Sequence, residues 1–214
     1  MSLTTAPVDL KRLGLIDYEL AWAMQREFHQ EIADGVRPNT LLLLEHPAVF
    51  TAGRRTLDSE RPIDGSKVID VDRGGKITFH GPGQIVGYPI VKLRDQHNVV
   101  GFVREIETAL IKVCDEFGIK SERYCERSGV WLRDEKGDRK IAAIGIRVAR
   151  GVTMHGFAMN VDTDLSYYDR IVPCGIQDAG VTSISKELGR EVKIEEVLPS
   201  LERHIFEALA KVAI

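Results

Sequence analysis

Five glycines and two prolines crowd into the seventeen residues from Arg73 to Pro89, RGGKITFHGPGQIVGYP, and nothing else in this 214-residue chain constrains its fold as strongly. A helix cannot run through such a segment, because each interior glycine costs about 1 kcal/mol and each proline about 3 kcal/mol relative to alanine. The segment must turn, pair as strands, or let backbone approach a ligand closely. Ile77–His80 and Gln84–Leu93 read as strands, with Val68–Val71 a further short one before them. Gly87 and Pro89 suggest a bulge or an edge position for the longer strand.

Around this segment the pattern alternates irregularly between helix and strand. Asp17 to Asp34 predicts a helix capped by Asp17 and stopped before Gly35, with Leu20, Ala21, Met24, Phe28 and Ile32 as its apolar stripe. Thr40–Glu45, TLLLLE, is a strand-length apolar run, and Val49–Ala52 is expected to continue its sheet beyond His46-Pro47. A second helix is expected from Asn98 to before Gly118, burying Val103, Ile106, Leu110, Val113 and Phe117, with Cys114 a core residue beside them. Gly129–Leu132 and Lys140–Val148 read as a hairpin with RDEKGDR at its tip, followed by a strand at Thr153–Val161. A short helix near Ser183 and a terminal one from Ile194 complete the chain, and Pro199 fits the latter only in its first turn or as a kink. Paired strands with interspersed helices predict an α/β fold of the α+β kind, with a mixed sheet in one domain spanning 1–214.

The formal net charge of -3 argues against a nucleic-acid partner. No apolar run is long enough to span a bilayer, and MSLTTAPVDLKRLG lacks the charged start and apolar stretch of a secretory signal, so a cytoplasmic protein without a membrane partner is expected. Cys114, Cys125 and Cys174 cannot all pair and show no Cys-x-x-Cys spacing, which predicts free thiols and no metal site.

Four stretches are too specific for plain scaffold: HPAVFTAGRRT (His46–Thr56), Arg73–Pro89, KIAAIGIRV (Lys140–Val148) with MHGFAMNV after it, and IVPCGI (Ile171–Ile176). The glycine segment is neither a Walker loop nor a dinucleotide turn. It reads as a tight turn pair or as a ligand loop rimmed by Arg73, Lys76 and His80. Cys174, between a rigid proline and a glycine, reads as a small buried hydrophobe or as an accessible nucleophile. Lys140 reads as the last solvated charge of a hairpin tip. Leaning into a partly apolar pocket instead, it would favour a nearby thiolate as a cation, or take a proton from an amine as a neutral base. His80 and His155, each followed by glycine, keep a Cys–His pair open as a competitor, while His46 before Pro47 fits a turn.

Arg73, Gly74, Gly75, Thr78, Phe79, His80, Gly83, Gln84 and Tyr88 match the signature of the lipoyl(octanoyl) transferases, which this chain resembles from about Leu15 to Gly189. HPAVFTAGRR, KIAAIGIRV, HGFAMNV and IVPCGI match that family's other blocks in order. The resemblance implies an α/β architecture shared with the catalytic domains of biotin- and lipoate-protein ligases. It implies transfer of an octanoyl or lipoyl group from an acyl carrier protein thioester to a lysine of lipoyl domains, those of 2-oxoacid dehydrogenase complexes and of the glycine cleavage H protein. Cys174 would carry the acyl thioester, and Lys140 would lower its pKa and assist proton transfer. Arg73, Gly74, Gly75, Lys76, Ile77, Thr78, Phe79 and His80, together with Ala143, Ile144, Gly145, His155, Gly156 and Phe157, would line the acyl pocket. No cofactor is expected beyond the octanoyl-phosphopantetheine that the donor itself carries. Phe79, Ile144 and Phe157 are the candidate apolar wall. Arg54, Arg55, Arg73 and Lys76 are candidates for a positive rim facing acidic protein partners. Two other functions compete: an ATP-dependent lipoate-protein ligase on the same scaffold, which would not need Cys174, and a carrier-protein-binding module without catalysis. Whether Lys140 or His80 is the base in the second half-reaction stays open at the level of sequence.

Overall fold

The structure is a computed structural model that describes residues 7–124, 127–171 and 179–214. In chain order the strands are β1 (Val8–Leu15), β2 (Asn39–Glu45), β3 (Val49–Ala52), β4 (Val68–Asp70), β5 (Thr78–His80), β6 (Gln84–Ile90), β7 (Glu122–Arg123), β8 (Val130–Leu132), β9 (Arg139–Ala149), β10 (Val152–Asn160) and β11 (Gly180–Val181). The helices are α1 (Tyr18–Ala33), α2 (Val99–Glu116), α3 (Ile184–Leu188) and α4 (Ile194–Val212). The large sheet runs β1-β2-β6-β10-β9-β8-β7, with β11 beside β9, and the small sheet runs β4-β3-β5. β1 lies parallel to β2 and β11 to β9, while the other pairs of the large sheet are antiparallel, so the sheet is mixed.

β2 shows why the sheet sits in the middle of the molecule. Its four leucines are all buried, and alternation sends them to opposite faces. Leu41 and Leu43 pack with α2 and α4 residues such as Phe102, Ile106, Leu201 and Leu209. Leu42 and Leu44 pack with Ala21, Phe28 and Ile32 of α1. Burying each such side chain contributes roughly 1.5–3 kcal/mol, which is why this run is continuous instead of alternating. The small sheet has its own cluster of Phe50, Ile77, Phe79, Tyr168 and Ile171.

The predicted Asp17 cap forms, and Asn98 caps α2 as well. The Asp17 carboxylate accepts from the N–H groups of Glu19 (2.8 Å) and Leu20 (3.2 Å), and Asn98 accepts from Gly101 N–H (2.9 Å). Several expectations need correction. Leu20 is 62% exposed, and Tyr18, Gln25 and His29 share the buried face of α1 with Ala21, Phe28 and Ile32. Val49–Ala52 does not extend the large sheet but is the middle strand of the small one. β6 is no edge strand: it lies between β2 and β10. Its ladder to β10 covers only Gln84–Gly87, so the N–H that Pro89 lacks breaks nothing on that side. Gly87 is there for another reason, since a Cβ on it would fall 2.2 Å from the Phe157 ring that lies across it. β1 has no counterpart in the sequence reading. Pro199 lies in the second turn of α4, which rules out the first-turn placement of the two offered by the sequence. Among the described residues no helix is long and apolar enough to cross a membrane.

Candidate functional site

Where the two sheets meet, a cavity of about 260 Å³ opens between the Arg73–Lys76 loop, β5, β9 and β10. Three missing side chains let these parts close on one another. A Cβ on Gly53 would lie 2.5 Å from the Gly75 carbonyl oxygen. One on Gly145 would lie 3.0 Å from the Arg73 side chain, and one on Gly156 2.0 Å from the Gly87 carbonyl oxygen. The loop is stitched to both sheets: Gly74 N–H donates to Ile146 O (3.1 Å), and Arg54 and Arg55 N–H donate to Arg73 O and Gly75 O (both 3.1 Å).

Arg73, Gly75, Lys76, Thr78, His80, Lys140, Ala143, Ile144, Gly145, His155, Gly156 and Phe157 all line this cavity. Ile77 and Phe79 do not. Strand alternation turns them to the far side of β5, where Phe79 stacks on Tyr167 with ring centroids 4.4 Å apart. Phe79 is therefore no part of the apolar wall, which Ile144 and Phe157 form with Ala143 and Ala158. Gly74 is spent on the stitch to Ile146. Tyr18, Arg55, Tyr88, Arg127, Ser128 and Ala158 complete the lining. The sequence gives no local signal for Tyr18 or Ser128, because only the fold brings α1 and the turn before β8 to this place. Cys125 and Cys174 lie outside the described residues.

The polar lining is neutral except for its cations. Arg73 is 7% exposed, and its guanidinium donates to Gly74 O (3.0 Å), Lys76 O (2.9 Å), Thr51 O (2.8 Å) and Thr51 Oγ1 (2.9 Å). It braces the loop and does not reach a rim. Lys76 is paired with the buried carboxylate of Glu60, so the exposed cations of the expected rim are Arg54 and Arg55. His80 has both ring nitrogens engaged: Nδ1–H donates to Gln84 Oε1 (2.7 Å), and Nε2 faces Thr51 Oγ1 (3.4 Å). Burial, with nearby His46, pushes its pKa down to about 3. His46 donates from Nδ1 to Ile16 O (2.7 Å) and accepts at Nε2 from the Tyr88 hydroxyl (2.8 Å), and burial lowers it to about 4. Burial likewise raises the Tyr18 phenol to about 12.

His155 adopts φ +59°, unusual for a residue with a side chain. Its N–H donates to Gln25 Oε1 (2.8 Å) and its Nε2–H to Asp72 Oδ1 (2.7 Å). Burial outweighs that carboxylate and keeps the imidazole below its ordinary pKa, while the His155 bond and Arg147 hold Asp72 down at about 2. Among the described residues its Nδ1 has no hydrogen-bond partner.

Lys140 is only 8% exposed and sits in the cavity, not on the hairpin's outer surface. Its ammonium lies 4.6 Å from the centre of the Trp131 ring. Simple alternation would put Lys140 and Ala143 on opposite faces of β9. The pairing slips, however, between Trp131↔Lys140 and Val130↔Ala142, leaving Ile141 as the extra residue of a β-bulge. The bulge brings Lys140 to the side of Ala143 and Gly145.

Chemically the cavity offers an apolar wall, histidines kept uncharged, and buried positive charge from Arg73 and Lys140. That combination suits an apolar chain ending in a group that develops negative charge. Among the described residues no cluster of three or more His, Cys, Asp or Glu is arranged to hold a metal ion.

Residues 17–206 match the family described as the lipoyl protein ligase A/B catalytic domain. An octanoyltransferase of Salinispora arenicola is 58% identical over 207 residues, covering 96% of this chain and 97% of that protein. Among solved structures, a bipartite lipoate protein ligase from Thermoplasma acidophilum superposes with a TM-score of 0.73 at 17% identity, covering 95% of this chain and 84% of that one. The biotin protein ligase of Aquifex aeolicus superposes with a TM-score of 0.57 at 13% identity, covering 95% and 71%. At such identities these two likenesses speak for the fold alone.

Proposed function

This chain belongs to the lipoyl protein ligase A/B catalytic-domain family, within it to the octanoyltransferases, and on that premise we propose that it moves an octanoyl group through Cys174. It is an acyltransferase of protein lipoylation. The donor is an acyl carrier protein thioester and the acceptor a lysine of a lipoyl domain, in 2-oxoacid dehydrogenase complexes or the glycine cleavage H protein. The chain works as one catalytic domain in the cytoplasm and needs no cofactor of its own.

The observation that carries this reading is the position of Lys140, buried and inside a cavity with an apolar wall. In the first half-reaction the Cys174 thiolate attacks the thioester carbonyl. The tetrahedral oxyanion forms in the positive field of Arg73 and Lys140, and collapse expels the carrier's thiolate, which takes a proton from the Lys140 ammonium and leaves that lysine a neutral amine. In the second half the neutral amine of the acceptor lysine attacks the acyl-cysteine, Lys140 takes the proton, and the cysteine thiolate leaves. His80 is a poor base here, because both its ring nitrogens are occupied and burial disfavours its protonation. Ile144 and Phe157 would pack along the chain, where each buried CH₂ contributes about 0.8 kcal/mol.

Intact mass spectrometry after mixing with octanoyl-acyl carrier protein tests the reading. The expected product is one octanoyl adduct that maps to Cys174 and disappears when a lipoyl domain is added. Transfer that needs ATP and free acid, and persists in Cys174→Ala, would overturn it in favour of an adenylating ligase. Carrier binding without any transfer would leave a mere binding module.

A further inference from the structure

The slot that holds Lys140 is built by residues that lie outside the substrate wall. Gly129, at φ +118°, sits against the bulge: a Cβ there would fall 2.5 Å from the Ala142 carbonyl oxygen and 3.5 Å from Lys140 Cε. Its N–H donates 2.9 Å to Oε1 of Glu107, a carboxylate on α2 with no exposed surface. The other oxygen of Glu107 accepts from Arg104 Nη1 at 2.7 Å, with Arg123 Nε at 3.5 Å. A fully buried carboxylate is costly to keep and demands partners. Here it pins the Arg127–Gly129 turn from behind. Trp131, 1% exposed, pairs directly across from Lys140, and its indole N–H ties back to Arg127 O at 3.2 Å. One side of the lysine stem thus meets Gly129, and its ammonium meets the Trp131 face.

We propose that Trp131 and Glu107 are positioning residues that fix the orientation of the Lys140 ammonium in the cavity, an inference that rests on the catalytic role given to Lys140 above. The ring supplies an attractive face for the cation. The Glu107–Gly129 bond keeps the turn seated on the bulge, so the stem cannot swing back into the hairpin.

A double-mutant cycle on octanoyl transfer tests this, with kcat and KM measured for Trp131→Leu and Trp131→Phe, each with Lys140 and with Lys140→Met. A cation–π contact of this kind is expected to be worth roughly a 3- to 30-fold change. With Lys140 present, Trp131→Leu lowers kcat by that factor and leaves KM unchanged. Trp131→Phe, which keeps a ring face, restores most of the rate. In Lys140→Met the Trp131 substitutions have no further effect. Glu107→Gln, whose amide oxygen still accepts from Gly129 but whose NH2 then meets the Arg104 guanidinium, loses less than Glu107→Leu, which loses as much as Trp131→Leu. Thermal unfolding of each variant confirms that it is folded at the assay temperature, and the Trp131 cycle decides the matter where Glu107→Leu does not fold. Equal losses in both lysine backgrounds, or no loss from Trp131→Leu, overturn the positioning role while leaving the Cys174 route intact. Full activity in Lys140→Met overturns the role of Lys140 itself.

Discussion

The two walls of the cavity hold their cations by opposite means. On the small-sheet side Arg73 gives four hydrogen bonds to Thr51, Gly74 and Lys76, and His80 beside it is engaged at both ring nitrogens. On the hairpin side Lys140 is oriented by a bulge, an aromatic face and a glycine slot. A guanidinium bound into backbone carbonyls has little freedom to exchange protons or move, and it serves as framework and fixed charge. An ammonium on a flexible four-carbon stem can approach a substrate and give up its proton. One wall is built to stay put, and under the proposed mechanism the other is the one that reacts.

Substitutions that separate stability from turnover sharpen this contrast. Lys140→Met should have the largest effect, slowing octanoyl transfer by about 10²-fold or more while the unfolding midpoint moves little. A variant that unfolds readily but transfers well would reverse the roles of the walls. Next in size, Arg73→Met leaves buried carbonyls without their donor and should cost about 2–3 kcal/mol in denaturant unfolding, with activity falling alongside. Gly53→Ala attacks the same wall from outside by pushing a methyl toward the Gly75 carbonyl, and about 1–3 kcal/mol of destabilisation is expected there.

The small-sheet wall also predicts a pH dependence. His80 and His46 have folded-state pKa values of about 3 and about 4, below the ordinary histidine value. Each is neutral when folded, so stability is fully present above about pH 6.5 and is lost as pH falls toward 4, where only the unfolded chain takes up the proton. Each histidine contributes a slope of up to about 1.4 kcal/mol per pH unit in that window. Chemical denaturation across it should show the slope, and His46→Gln should flatten it; an unchanged slope would mean His46 already titrates normally in the folded chain. The smallest effect is expected at Leu20→Ser, less than about 0.5 kcal/mol, because that side chain faces solvent.

That last residue shows where sequence reading stopped short. Caps and periodicity placed α1, α2 and the β8–β9 hairpin well, since Asp17, Asn98 and the RDEKGDR tip act through neighbours close in sequence. Of the apolar stripe of α1 only Leu20 faces solvent, while Tyr18, Gln25 and His29 join the buried face without an apolar signal because their partners lie on other elements. β1 leaves no sequence signal because half-exposed edge strands lack clean alternation, and Val8–Leu15 has its partner in β2, beyond a whole helix. The glycine segment announced a special site, but the outward turn of Phe79 and the inward brace of Arg73 depend on strand pairing. Counting alternation along KIAAIGI would have separated Lys140 from Ala143, because the bulge at Ile141 leaves no mark in the sequence.

β11 is only two residues long, yet it lies alongside the hairpin wall: Val181 pairs with Lys140, and Thr182 N–H donates to the Lys140 carbonyl at 3.0 Å. Deuterium uptake at the Thr182 amide therefore counts how often the backbone of residue 140 is let go on that side. The amide is a built-in reporter of local breathing beside the cavity, readable without substrate.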